Sequence, residues 1–94
     1  MTNRTREGRQ SEAFLAIIHE RRFQDQKHGH PEDCPHSIGT WLFIMEAELA
    51  EAKLACIKGG QGRDNVISEI IQIAATAVAC LEQHGVDEIE GRSV

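Results

Sequence analysis

Four residues with oxygen-bearing side chains repeat one helical spacing in two separate segments. Glu48 and Glu51 are three positions apart, and Glu69 and Gln72 repeat that spacing further along the chain. Residues three apart project from the same face of a helix, so each pair presents two oxygens on one side. Paired oxygen ligands on facing helices suit a hard cation, which takes carboxylates, water and substrate phosphates. The spacing therefore predicts a site for Mg²⁺, with Mn²⁺ as a substitute, held by Glu48, Glu51, Glu69 and Gln72.

Glu48 stands where an apolar residue is expected. On a helix that turns about 100° per residue, it falls in the middle of an apolar arc, and Glu51 lies at the rim of that arc. The arc consists of Trp41, Ile44, Met45, Ala52 and Ala55. Burying an ionised carboxylate without a partner is costly, which favours a bound cation. The alternative is that Glu51 is solvated and that Glu69, near a helix start, only favours the helix dipole.

Three further residues are candidates for contacting a phosphorylated substrate. Lys27 and Arg63 flank loops that can reach the cleft between the second and third helices, where their charges would neutralise phosphates. Trp41 is the only tryptophan and lies two turns before Glu48 on the same face. It can stack on a nucleobase, and packing in the core is the alternative.

Three helices are needed to position these residues. Ser11 and the following Glu12 mark the start of the first helix, which ends near residues 27–28 because a Gly and a Pro follow. Ser37 is the predicted N-cap of a second helix over residues 38–58. The third helix starts at residue 64 or 65 and ends near residue 84, before Gly85.

The third helix is apolar on nearly every side over residues 66–81, and such a helix is normally surrounded by others. Two partner helices cannot cover it completely. We therefore expect an all-α fold in which three helices form a four-helix-type core completed by a second subunit, in a homodimer or a dimer of dimers. Residues 1–94 form a single domain, with loose tails at 1–10 and 86–94.

The overall charge and the absence of sorting signals exclude several classes. A net charge of −5 argues against binding a nucleic acid polymer, which needs a basic patch. The N-terminal residues do not resemble a signal peptide, and the apolar run of the third helix is judged too short for a bilayer. The three cysteines are widely spaced with no C-x-x-C pair. These features predict a cytoplasmic protein without a membrane partner.

A second metal site is conceivable in the loop between the first two helices. His28, His30, Cys34 and His36 carry ligands that suit Zn²⁺. Their spacing matches no common structural zinc pattern, and two prolines restrict the loop. Zinc binding here stays an alternative.

The motifs in their order resemble the MazG-like all-α nucleoside triphosphate pyrophosphohydrolases, in particular a small bacterial and phage subgroup. The resemblance covers about residues 12–84 and rests on Glu48-x-x-Glu51 followed by Glu69-x-x-Gln72, which is similar to the family's E-E-x-x-E and E-x-x-D except at two positions. It also includes the stretch from Glu20 to Gly29, similar to E-R-x-x-Q-x-x-K-x-G, together with W-L at 41–42 and Q-x-A-A at 72–75.

The resemblance implies Mg²⁺-dependent cleavage of a nucleoside triphosphate into a monophosphate and pyrophosphate, a house-cleaning activity. In it, Glu48 and Glu51 would be the catalytic carboxylates, with one of them as general base. Two positions depart from the family pattern: Ala47 replaces the first Glu, and Gln72 replaces the closing Asp. The alternative is therefore a catalytically silent helical oligomer that binds a nucleotide, a metal or a protein.

Overall fold

The protein is all-α in the part that the structure describes, as the sequence predicts. The structure is a computed structural model that describes residues 5–58 and 62–86, with the side chains of 62–64 left out. Its helices are α1 (Arg6–His28), α2 (Ile38–Lys58) and α3 (Gly62–His84). The C-terminal tail beyond residue 86 lies outside the described residues.

The start of α1 differs from the prediction, because the helix begins at Arg6 and part of the expected N-terminal tail is helical. Thr5 is the N-cap, and its Oγ1 accepts a hydrogen bond from the backbone N–H of Gly8 at 3.0 Å. Ser11, the predicted start, lies inside the helix. Several Ser and Thr side chains can cap a helix, and the local sequence does not say which one does.

The start of α3 also differs from the prediction, because the helix begins at Gly62 and not at residue 64 or 65. The remaining helix ends follow the predicted chemistry. Ser37 Oγ accepts from the backbone N–H of Thr40 at 3.1 Å, which fixes the start of α2. Gly29 and Gly85 end α1 and α3 with positive φ angles of 84° and 83°. A residue without Cβ adopts that left-handed conformation at little cost, so both helices stop there.

The helix α3 lies between the other two and packs against both, while α1 and α2, as far as they are described, do not pack against each other. The buried apolar residues of this small core are Trp41, Ala52, Ala75 and Ala79. Large apolar side chains instead lie at the surface of the single chain on all three helices. Examples are Phe14, Leu15, Ile18, Leu42, Phe43, Ile57, Ile70 and Leu81.

The length of α3 corrects one sequence-based expectation. The sequence analysis predicts an apolar run too short for a bilayer. The segment Asn65–His84 is nevertheless long and apolar enough to cross a membrane, by length and composition alone. Only 17% of its most apolar window is buried inside the single chain. Length and composition therefore do not exclude a membrane span for this helix.

Candidate active site

Glu48 projects from α2 toward α3 and is only partly satisfied there. Its Oε2 accepts a hydrogen bond from Thr76 Oγ1 at 3.2 Å, and that hydroxyl lies 2.9 Å from the carbonyl oxygen of Gln72. The other carboxylate oxygen, Oε1, is buried and has no hydrogen-bond partner in the part of the chain that the structure describes. Buried polar atoms are nearly always hydrogen-bonded, so this orphan oxygen requires an explanation.

Glu69 on α3 shows the same feature, since its Oε2 is also buried and has no partner among residues 5–58 and 65–86. Together with the exposed Glu51 of α2, it lines a depression between the two helices. Lys58 lines this depression as well, yet no ion pair among the described residues joins it to either carboxylate. The structure thus places a second incompletely satisfied carboxylate beside Glu51.

The electrostatics of Glu48 place three other carboxylates within range of it. Burial raises the pKa of Glu48, the hydrogen bond from Thr76 lowers it, and the negative charges of Glu51, Glu69 and Glu20 raise it further. Helices α2 and α3 therefore bring the three predicted glutamates into one electrostatic environment.

Glu20 of α1 is the member of this group that sequence reasoning did not assign to the site. It is half-buried and lines a second depression with Ser68 and Ile71 of α3. The signal for it was present, because Glu20 opens the E-R-x-x-Q stretch and lies three positions from both Ile17 and Phe23. Its face on α1 is thus partly apolar.

The positions of the oxygens do not by themselves make a metal centre. Among the described residues, no group of three or more His, Cys, Asp or Glu side chains is arranged to hold a metal ion. Gln72, the predicted fourth ligand, is half-buried one turn after Glu69. The donor set nevertheless fits a hard cation, because carboxylate and amide oxygens are its usual ligands and two of the carboxylate oxygens are orphaned.

A cavity of about 330 Å³ opens beside Glu48, between α1 and α2 and above α3. Its walls include Trp41, Thr76 and the loop that connects α1 to α2. The four residues of the alternative zinc site also line it, although they are not arranged as a metal centre: His28, His30, Cys34 and His36.

Arg21 of α1 forms one wall of this cavity and is almost completely buried, with 6% of its surface exposed. Its Nε and Nη2 donate to the two carboxylate oxygens of Glu82 at 2.8 and 2.7 Å. Its Nη1 donates to Gln24 Oε1 at 3.1 Å, and Nη2 also donates to Asp25 Oδ1 at 2.9 Å. This bidentate pair joins α1 to the end of α3.

Trp41 is held in place by the end of α3. Its Nε1 donates to Gln83 Oε1 at 2.8 Å, and its ring meets His36 edge-on with centroids 4.9 Å apart. Gln83 also accepts from the backbone N–H of His36 and donates to its carbonyl oxygen. Trp41 is therefore both a core residue and a wall of the cavity beside Glu48.

Of the two predicted phosphate-binding cations, Lys27 is not brought into this arrangement. Lys27 is exposed and does not line the cavity, although Gln24, Asp25 and His28 of the same helix do. The side chain of Arg63 lies outside the described residues.

Comparisons of the chain with known protein families, with curated proteins and with solved structures found no match. The resemblance to the MazG-like enzymes therefore rests on the motif residues alone.

Proposed function

We propose that the protein is a cytoplasmic, Mg²⁺-dependent nucleoside triphosphate pyrophosphohydrolase of the MazG-like type. One observation carries the proposal: Glu48 Oε1 and Glu69 Oε2 are buried on two packed helices, and neither has a hydrogen-bond partner among the described residues. A protein gains nothing in stability from orphan carboxylate oxygens, because each loses its hydration without compensation. Their retention favours a function that needs them.

A divalent cation is the partner that best matches these atoms. Glu48, Glu51 and Glu69 would hold it, with Gln72 as a neutral fourth ligand. The negative charge of Glu20 adds to the attraction, since it acts on the same carboxylate. When bound, such an ion neutralises phosphate charge and lowers the pKa of water.

Glu48 has the properties of a general base among these residues. Its raised pKa makes its carboxylate a stronger proton acceptor than an ordinary glutamate. Thr76 holds one carboxylate oxygen, and the other, Oε1, can take either the cation or a proton, not both at once. With Glu48 as the base, Oε1 would accept a proton from water attacking the α–β phosphate linkage, and the cation would be held by Glu51, Glu69 and Gln72. Glu51, exposed at the edge of the site, is the second candidate for this role.

The direct test is a pyrophosphate-release assay over the common and damaged nucleoside triphosphates, with Mg²⁺ and with Mn²⁺. We expect one monophosphate and one pyrophosphate per turnover, and loss of activity on addition of a chelator. Release of inorganic phosphate instead, or no turnover of any nucleotide with either metal, would refute the proposal.

The second candidate is a catalytically silent nucleotide-, metal- or protein-binding module, and it is favoured by Ala47 and Gln72. Each of these residues removes a negative charge from the pattern that the chain resembles. This candidate predicts saturable binding of a nucleotide or metal in calorimetry, with no hydrolysis at any metal concentration. The hydrolase predicts both binding and turnover.

We also propose that a second copy of the chain completes the core, as in a homodimer or a dimer of dimers. The buried apolar core described above contains three alanines and one tryptophan, whereas fourteen large apolar side chains are exposed. Soluble monomers rarely expose so much apolar surface. Light scattering should give at least twice the monomer mass, and Ile70→Lys, a change at a half-exposed position of α3, should lower it. A wild-type monomer would overturn this proposal.

A further inference from the structure

Thr76 is a buried, hydroxyl-bearing residue of α3 that contacts the proposed catalytic carboxylate. Only 4% of its surface is exposed, and it lines the cavity together with Glu48. Its Oγ1 lies 3.2 Å from Glu48 Oε2 and 2.9 Å from the carbonyl oxygen of Gln72. A hydroxyl has one proton to donate, so these two acceptors compete for it. The role of Thr76 therefore depends on which of them receives the proton.

The Gln72 carbonyl does not depend on this hydroxyl. Residues 72 and 76 both lie within α3, where the carbonyl of one residue accepts from the backbone N–H of the residue four positions later. The helix itself thus satisfies that carbonyl, and a threonine hydroxyl that bonds back to it adds no stability to the helix. A hydroxyl directed only at Gln72 would also leave the Glu48 carboxylate without its donor.

Glu48 has the greater need of the proton. Among the described residues, Thr76 is the only one that donates to its carboxylate, and Oε1 is already buried without a partner there. A hydrogen bond to an ionised acceptor is also roughly twice as strong as one between neutral groups. Withdrawing the hydroxyl would leave both carboxylate oxygens unsatisfied, at a further cost in desolvation. These terms favour donation to Glu48 Oε2, although the Gln72 carbonyl is the nearer acceptor.

We propose that Thr76 is a positioning residue, whose hydroxyl donates to Glu48 Oε2 and fixes Oε1 as the oxygen left for the cation or for the attacking water. A carboxylate rotates readily about its last bond, and a buried donor to one oxygen restricts that rotation. Side chains that bind metals or substrates are commonly held in this way by a second layer of hydrogen bonds. The inference rests on the proposed function only for what Oε1 binds, because the donation to Oε2 does not depend on it.

A double-mutant cycle tests where the hydroxyl proton goes, without metal or substrate. Thr76→Val replaces the hydroxyl by a methyl group of similar size, and Glu48→Met removes the acceptor. The Tm of the full chain is measured in chelator at pH 7 for the wild type, for both single variants and for the double variant. We expect Thr76→Val to lower the Tm of the wild type by about 5 °C, and to leave the Tm of the Glu48→Met chain unchanged or raise it.

A second test separates the hydroxyl from the packing of the side chain. Thr76→Ser keeps the donor and loses the methyl group, while Thr40→Val makes the valine change at an exposed position of α2 outside the cavity. Mn²⁺ binding is measured by calorimetry, and turnover by pyrophosphate release. Thr76→Val should weaken Mn²⁺ binding about tenfold where Oε1 binds the cation, or lower kcat about tenfold where it accepts the proton. Thr76→Ser and Thr40→Val should stay within about twofold of the wild type.

The outcomes separate this inference from the proposed function. A Tm loss that requires Glu48, in a chain that neither binds Mn²⁺ nor releases pyrophosphate, removes the hydrolase and supports Thr76 as the residue that positions Glu48. An equal Tm loss with and without Glu48 overturns the inference, even in an active hydrolase, because the proton then goes to the Gln72 carbonyl. In an active hydrolase, wild-type Mn²⁺ affinity and kcat in Thr76→Val, or a loss in Thr76→Ser as large as in Thr76→Val, also overturns it.

Discussion

Two charged side chains line the same cavity, Arg21 and Glu48, and they differ in how completely they are hydrogen-bonded. Arg21 is almost fully buried, and its guanidinium is bound by Glu82, Gln24 and Asp25. Glu48 lies across the cavity with one oxygen bound by Thr76 and the other unpartnered. A satisfied buried network stabilises a unique structure, whereas a partly satisfied one reduces stability. The contrast marks Arg21 as a structural group, and it is the reason that we propose a functional role for Glu48.

The largest expected effect is on turnover, and it comes from changing Glu48, the incompletely hydrogen-bonded member of the pair. Glu48→Gln keeps the size of the side chain but removes its charge and basicity. We expect kcat for pyrophosphate release to fall about 10³-fold, in the range typical for loss of a general base. Glu46→Gln is the matched control, because Glu46 is exposed on the same helix. If both variants retained wild-type turnover, Glu48 would have no part in catalysis.

The next largest effect is on stability, and it comes from changing Arg21, the fully hydrogen-bonded member of the pair. Arg21→Ala leaves Glu82 and Asp25 without their cation and removes the link between α1 and α3. We expect the free energy of unfolding to fall by about 2–3 kcal/mol, measured by urea denaturation. Arg22→Ala changes an exposed neighbour and should cost less than about 0.5 kcal/mol. Equal losses in the two variants would contradict the structural role of Arg21.

The local parts of this fold could be predicted from sequence, because they depend on neighbouring residues. Ser37 caps α2 through a residue three positions away, and Gly29 and Gly85 end their helices through their own backbone angles. The half-burial of Glu48 follows from helical periodicity in the same way. The electrostatic effect of Glu51 and Glu69 on Glu48 follows once α2 and α3 are packed together, whereas the predicted convergence of the three on one metal stays a prediction.

The parts that sequence reasoning missed depend on contacts between distant segments. Arg21 and Glu82 are 61 positions apart, and the Gln83 contact with Trp41 spans 42. No periodicity or spacing links residues so far apart, because the packing of α1 and of α2 on α3 decides which side chains meet. Glu20 was missed for the same reason, since its approach to Glu48 depends on that packing.

A smaller effect is expected from adding a negative charge at position 72 of the proposed metal site. Gln72→Asp adds a carboxylate where the resembled motif has one, so metal affinity should rise and kcat should be preserved or raised. We expect the Mg²⁺ concentration for half-maximal activity to lie near the millimolar scale in the wild type and to fall severalfold to about tenfold. The measurement is a Mg²⁺ titration of pyrophosphate release. If wild-type turnover saturated at micromolar Mg²⁺, Gln72 would not weaken metal binding in this protein.

The smallest effect concerns the stability of the metal-free protein and its dependence on pH. Burial, assisted by the charges of Glu51, Glu69 and Glu20, raises the pKa of Glu48, while Thr76 acts in the opposite direction. The folded state therefore binds the Glu48 proton more tightly than the unfolded state does. As the pH rises from the usual carboxyl pKa through the raised pKa of Glu48, the free energy of unfolding falls.

Glu48→Gln removes this penalty, so in chelator its Tm should exceed that of the wild type at pH 7 by a few degrees, about 2–5 °C. The difference should shrink toward zero near pH 4, where Glu48 is protonated in both states. Glu46→Gln should show no such pH-dependent gain. A Tm advantage for Glu48→Gln that grows as the pH falls would have the wrong sign, and it would mean that the Glu48 carboxylate is satisfied within the protein after all.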